Sequence, residues 1–218
     1  PMTAAVVLML TMMAADTPPR FYACGAASKN YVVGMALPPS GLFEWAAAGA
    51  PWTQHGFNHP TINAADYDPK DPSVLYLAAG NGCIRAEDGG KRWRILTGWQ
   101  MTEVQDVSLD WAEPGSIYIA MADGIGFSAD GGATWTHRDS GIVRKFAQSV
   151  QVDRSRAGRV LAGAEQGIFV SGNRGMAWKL AGARGKMITD LKQSARDPRR
   201  WMATAQRGGL FASTDNGA

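Results

Sequence analysis

Ser128-Ala-Asp-Gly-Gly-Ala-Thr-Trp135 decides the fold, because the chain repeats it. Ala86-Glu-Asp-Gly-Gly-Lys-Arg-Trp93 precedes it, Ser171-Gly-Asn-Arg-Gly-Met-Ala-Trp178 follows it, and Ser213-Thr-Asp-Asn-Gly-Ala218 begins another copy. An earlier stretch, Trp45-Ala-Ala-Ala-Gly-Ala-Pro-Trp52, keeps only the glycine and the tryptophan. Trp52, Trp93, Trp135 and Trp178 stand 41, 42 and 43 residues apart. A period of about 40–45 residues is the length of one four-stranded propeller blade. The spacing therefore predicts an all-β chain, a β-propeller of four-stranded antiparallel blades, with five repeats visible and the last incomplete. The blades fall at approximately 3–60, 61–102, 103–144, 145–187 and 188–218. The next tryptophan is due just past Ala218, so the chain reads as a fragment of a larger propeller.

The surrounding sequence fits that period. In the third repeat Val104-Gln-Asp-Val-Ser-Leu-Asp-Trp111 alternates apolar and polar residues as a half-buried strand does, and Ala112-Glu-Pro-Gly115 is a turn. Ser116–Met121 is a second strand, Gly126–Ser128 a third and Thr134–His137 a fourth. Within 218 residues the 26 glycines and 11 prolines suit short strands joined by tight turns, and 45% apolar content suffices for a core. Ala4–Ala15 imitates a signal peptide but has no Lys or Arg before it, and the repeat alignment favours the first strand of the first blade over a targeting remnant. It is too short to be a transmembrane segment. Residues 26–40 form the one loop that breaks the blade length.

Charge is unevenly spread. Residues 1–135 carry 7 Lys/Arg against 13 Asp/Glu, and residues 136–218 carry 15 against 6. The basic C-terminal half favours an acidic partner, with Arg156, Arg159, Arg199 and Arg200 as its expected contacts. No specific nucleic-acid motif accompanies it. Cys24 and Cys83 have no metal-ligand spacing; they read as two buried thiols, with a pairing between them left open for an exported chain.

The octapeptide has a physical rationale. A tight hairpin leaves backbone N–H groups without ladder partners; a carboxylate at the turn accepts from them, and glycine supplies the backbone conformation. The tryptophan then covers the turn. Ser128, Asp130, Gly132, Thr134 and Trp135 match the whole S-x-D-x-G-x-T-W pattern. Asp88, Gly90 and Trp93 match it in part, as do Ser171, Asn173, Gly175 and Trp178, and Ser213, Asp215 and Gly217. With this recurrence the chain resembles the Asp-box, or BNR, repeat propellers: sialidases, xyloglucanase-type glycoside hydrolases, sortilin-like receptors and photosystem assembly factors. The resemblance implies that the boxes are structural and lie on the edge away from any catalytic face. It also favours an extracellular or periplasmic location.

In a propeller the second-to-third-strand loops and the inter-blade loops share one face, where ligands are sought. Asn81, Asp123, Glu165, Gln166 and Arg207 fall there from within blades, with His55, His59, Trp99, Gln100, Arg144, Lys145, Arg184 and Lys186 between blades. Asp123 and Glu165 are the candidate catalytic carboxylates; Trp99, Arg144, Lys145 and Arg207 are the candidate binding residues. Glycoside hydrolysis needs two carboxylates about 5–10 Å apart. Asp123-Gly124 sits where the xyloglucanase-type enzymes, by resemblance, carry an acid before a glycine, but its flanking residues differ. No Arg-Ile-Pro segment introduces a sialidase-type arginine triad. Gly56 and Pro60 argue against a helix that would align His55 and His59, so no metal site and no cofactor is expected. Two functions follow: a non-enzymatic module binding a protein or polysaccharide, or a secreted glycoside hydrolase of the xyloglucanase type.

Overall fold

The structure, a computed structural model, describes residues 7–11, 20–25, 34, 39–46 and 49–217. It is all-β and forms a five-bladed β-propeller. The first blade comprises β1 (Val7–Thr11), β2 (Arg20–Gly25), β3 (Gly41–Trp45) and β4 (Thr53–His55). The second has β5 (Ile62–Tyr67), β6 (Leu75–Ala79), β7 (Gly82–Glu87) and β8 (Arg92–Ile95). The third has β9 (Val104–Leu109), β10 (Ile117–Met121), β11 (Gly124–Ser128) and β12 (Thr136–His137). The fourth has β13 (Ala147–Val152), β14 (Val160–Ala164), β15 (Gly167–Ser171) and β16 (Lys179–Gly182). The fifth holds three strands, β17 (Ile188–Gln193), β18 (Trp201–Ala205) and β19 (Gly209–Ser213). Every sheet is ordered by sequence and wholly antiparallel.

The core of the apolar run expected to be a strand, Val7–Thr11, is β1, paired with β2. Residues 4–6 and 12–15 lie outside the described residues, as do 26–33 and 35–38 of the long insertion.

The second strand of each blade explains the stacking. Successive side chains point to opposite faces. In β6, Leu75, Leu77 and Ala79 pack toward Tyr22, Cys24 and Leu42 of the first blade, whereas Tyr76 and Ala78 pack toward Val107, Ile117 and Ile119 of the third. Tyr118 and Ala120 repeat the move toward Val150, Val160 and Ala162. A strand buried on both faces must be apolar throughout, as Ile117-Tyr-Ile-Ala-Met121 is.

Two strand expectations need correction. The alternating polar residues of β9 were expected on a solvated face, yet Asp106 and Ser108 are buried because that face meets the next blade's inner strand. The fourth strand of the third blade is only Thr136–His137, because the amide and hydroxyl of Thr134 are bonded to Asp130. A β-bulge recurs near the start of β5, β9, β13 and β17 and leaves Asn63, Gln105, Gln148 and Thr189 outside the ladder.

Candidate functional site

Hydrogen bonds between loops define the two faces. On one, Gly131 N donates to Gly115 O (2.9 Å), Arg174 N to Gly158 O (2.8 Å) and Asn216 N to Arg199 O (2.8 Å), joining the octapeptide hairpins to the first-to-second-strand turns. On the other, Gly80 N donates to Thr61 O (3.1 Å), Glu165 N to Phe146 O (3.2 Å), Gly185 N to Gln166 O (2.8 Å) and Gln206 N to Met187 O (2.8 Å). The second-to-third-strand turns and inter-blade loops thus form one surface, the channel face.

The hairpin face is built for closure of turns. Ser128 Oγ donates to Asp130 Oδ1 (2.8 Å) and accepts from Gly132 N (2.9 Å). Asp130 also accepts from Thr134 N (2.8 Å) and Thr134 Oγ1 (2.6 Å), and these bonds, the hydroxyl's first, hold its carboxyl down at about 2. Ser171 repeats the pattern with Asn173 and Gly175, and Ser213 with Asp215 and Gly217. The serine hydroxyl, to which sequence reasoning gave no role, closes the turn together with the aspartate. In the second blade Ala86 has no hydroxyl, Gly90 N turns to Glu87 O (3.0 Å), and Asp88 pairs with Arg92 (2.6 Å). Trp178 reaches back to Arg138 O of the preceding blade (2.8 Å) and Trp93 packs on Phe57 (4.5 Å), so these two tie adjacent blades together.

Of the four arginines expected as partner contacts on this face, Arg156 is exposed and in no ion pair among the described residues, and the other three are paired with carboxylates. Arg159 is buried against Asp153 (2.8 Å), Arg199 and Arg200 share Asp197, and Arg174 pairs with Glu113. Arg154 lies over the Trp111 ring (4.2 Å). Arg159 is therefore withdrawn as a partner contact, since both its exposure and its charge are spent internally. Cys24 and Cys83 are separate buried thiols, each pushed up to about 12 by burial.

On the channel face, Asp123 is exposed on its turn and has no hydrogen-bond or ion-pair partner among the described residues. Asp139, which sequence reasoning missed, lies against the same turn: a Cβ at Gly124 would sit 2.4 Å from its Oδ2. Lys145 reaches that Asp139 oxygen at 3.0 Å, and Arg144 stands 3.9 Å from Glu165 on the next blade. Of the two candidate acids, Glu165 is thus held beside an arginine and Asp123 is open to water. His59 bonds Asn81 (3.1 Å) and His55 bonds Glu44 (3.2 Å). Trp99 is 84% exposed on its inter-blade loop, and nothing joins it to Arg144 or Arg207.

Arg144, Glu165, Lys186, Met187, Gln206 and Arg207 line one cleft across the fourth and fifth blades. Gly185 connects it to a recess lined by Val143, Phe169, Leu180 and Arg184. Two of the four sequence-predicted binding residues, Arg144 and Arg207, thus meet, with Glu165 between the blades.

Beneath the loops the inner strands exchange polar bonds. Asp66 accepts from Leu109 N (2.9 Å), Asp106 from Ser149 Oγ (2.8 Å) and Val150 N (3.1 Å), Ser108 from Val152 N (3.1 Å), and Ser149 from Leu191 N (3.1 Å). An innermost strand has no further strand to satisfy its free N–H groups, and the preceding blade's side chains do so. Burial raises Asp66 to about 6 and also raises Asp106; Lys192 stands 3.6 Å from Asp106 and 3.5 Å from Asp190. The signal for this network was a polar residue recurring about 42–44 positions on, in strands read as solvated.

The described residues form a β-propeller with a cleft between the connecting loops of its fourth and fifth blades. Comparison with known proteins places that fold among several functions. The chain is similar in structure to the GH74 xyloglucanase from Xanthomonas campestris (TM-score 0.61, 16% identity, covering 72% of this chain and 29% of that one). It is similar to the extracellular domain of a one-component system from B. thetaiotaomicron (0.68, 16% identity, 96% and 26%). It is also similar to an auxiliary nutrient binding protein from Bacteroides thetaiotaomicron (0.55, 9% identity, 67% and 36%). The chain thus spans well under half the length of each. No protein-family model and no curated protein matches the sequence. Among the described residues no helix is long and apolar enough to cross a membrane.

Proposed function

We propose that this chain is a non-enzymatic propeller module that recognises a protein or glycan partner on its channel face. The observation that carries this reading is the cleft between the fourth and fifth blades, where Arg144, Lys186 and Arg207 surround the single carboxylate of Glu165. A rigid scaffold presenting loops of one charge is a recognition surface in many folds. The neighbours support the reading at the level of fold, since a nutrient binding protein and the extracellular domain of a one-component system stand beside a xyloglucanase. In the same reading the hairpin residues at Asp88, Asp130, Asn173 and Asp215 are architectural.

The test has two arms. The purified protein is assayed for release of reducing ends from a polysaccharide panel that includes xyloglucan, and for retention of immobilised glycans and peptides. Retention that a Lys186→Glu, Arg207→Glu double variant loses, with no hydrolysis, is the expected result. Hydrolysis that Asp123→Asn abolishes would sink the proposal and establish the glycoside hydrolase instead.

A further inference from the structure

We infer that the paired recesses between the fourth and fifth blades take an acidic peptide segment with an apolar side chain beside its carboxylates, which rests on the binding role proposed above. The cationic recess encloses about 380 Å³ and the apolar one about 360 Å³, and they meet at Gly185. Each is large enough for one or two side chains.

Charge complementarity selects the acidic component. Arg184, Lys186 and Arg207 have no ion-pair partner among the described residues, while Arg144 shares Glu165 at 3.9 Å. On the hairpin face, Arg159, Arg174, Arg199 and Arg200 are each paired with a carboxylate, and Arg156, exposed and without an ion pair among the described residues, lines neither recess. The cations of the cleft are held close by the fold. Lys186 Cδ would lie 3.4 Å from a Cβ on Gly208, so its stem runs along the turn that carries Arg207. Arg207, which lines the cationic recess, occupies the left-handed region with φ of 53°. Non-glycine residues seldom hold that conformation unless their surroundings impose it. Neighbouring unpaired cations repel, and a ligand carboxylate relieves that repulsion while accepting charge-assisted hydrogen bonds.

The apolar recess selects a peptide over a sugar. Its accessible lining is aliphatic: Val143 is 82% exposed and Leu180 is partly buried, whereas Phe169 is only 4% exposed and offers no open ring face. A branched aliphatic side chain buries against Val143 and Leu180. A hexose ring packs best on a flat aromatic platform, and the exposed aromatic side chains among the described residues, Trp52, Phe57, Trp99 and Trp111, all lie outside this recess.

The experiment uses the full chain and fluorescent, terminally blocked heptapeptides: one with leucine among glutamates and aspartates, one with the acids replaced by amides, one with the leucine replaced by alanine, and an oligogalacturonide of similar charge. Anisotropy titrations are run at low and high salt. The acidic leucine peptide should bind, weaken steeply with salt, and bind about tenfold more tightly than its amide counterpart, the factor that about 1.4 kcal/mol represents. Lys186→Ala with Arg207→Ala should remove most of that advantage; Val143→Ser should weaken the leucine peptide and leave the alanine peptide unchanged. All these sites are exposed, and the melting temperature of each variant verifies folding. Equal binding of the amide peptide, or affinity indifferent to the double variant, overturns the inference. Binding of the oligogalacturonide in place of the peptides, lost in the same double variant, refutes the peptide but keeps the channel face as the binding surface. Binding lost only with Arg156→Ala, on the hairpin face, would overturn both, as would no binding by peptide or glycan.

Discussion

Replacing Ser128 by alanine isolates what holds a blade's outer hairpin. Ser128 is 1% exposed, and its oxygen accepts from the buried amide of Gly132 at 2.9 Å. Alanine leaves that N–H without a partner. The turn has little room to find another, because Gly132 stands at φ 90° and a Cβ there would lie 2.5 Å from Leu96 Cδ1. An orphaned buried donor costs about 1–3 kcal/mol. The other two bonds, one donated to the exposed Asp130 carboxylate and a longer one accepted from Asp130 N at 3.3 Å, add little beyond this. A loss of about 2 kcal/mol is expected, which lowers a urea midpoint by about 1 M at a slope of ~2 kcal/mol per molar. Urea titration followed by tryptophan fluorescence measures it. An unchanged slope is required as well, since blade arrays can unfold in steps.

The molecule contains its own control. In the second blade Ala86 already stands at the serine position, and Gly90 N is satisfied by Glu87 O at 3.0 Å. Ala86→Ser should therefore bring no comparable gain. If Ser128→Ala costs less than about 0.5 kcal/mol, the third-blade hairpin has simply adopted the second-blade arrangement, and the serine hydroxyl is not what closes it.

Asp66 predicts a pH effect with a definite sign. Its carboxyl is raised to about 6 in the fold, chiefly by burial, with Leu109 N, Arg154 and Lys192 opposing. A raised acid favours the fold below its ordinary range and loses that advantage as pH climbs through the folded value, here from about 4 to 6, an effect of up to about 3 kcal/mol. Measured against Asp66→Asn, wild-type stability should fall over this window, and a flat difference between pH 4 and 7 would refute the assignment. Gly141→Ala should destabilise by more than about 1 kcal/mol in thermal melts, because the residue has φ 100° and its Cβ would meet Trp178 O at 2.3 Å; an unshifted melting temperature would contradict that contact. Cys24 and Cys83 should resist a thiol reagent at pH 8 until urea unfolds the chain, since both thiols are buried and raised to about 12; rapid labelling of native protein would count against their burial.

What was legible in the sequence was local. A hairpin from Ser128 to Trp135 is closed by bonds spanning two to four residues, so its composition announces it, and its return every 41 to 43 positions announces the blades. Illegible were properties decided between blades. Asp106 alternates with valine as a solvated residue would, yet Ser149 and Val150 bury it from 43 and 44 residues away. Asp139 gains its place from the absent side chain of Gly124, and a glycine in a turn pair carries no mark of what leans on it. Charge misled for the same reason. A run such as Arg154-Ser-Arg-Ala-Gly-Arg159 looks like a basic patch, but only the folded turn shows Arg159 turned inward to Asp153. Lys186 and Arg207 lie in no run at all. The fourth and fifth blades bring them into one cleft with Arg144 and Glu165, and neither is in an ion pair among the described residues, so which cations share a cleft is decided between blades and not by a run in the sequence.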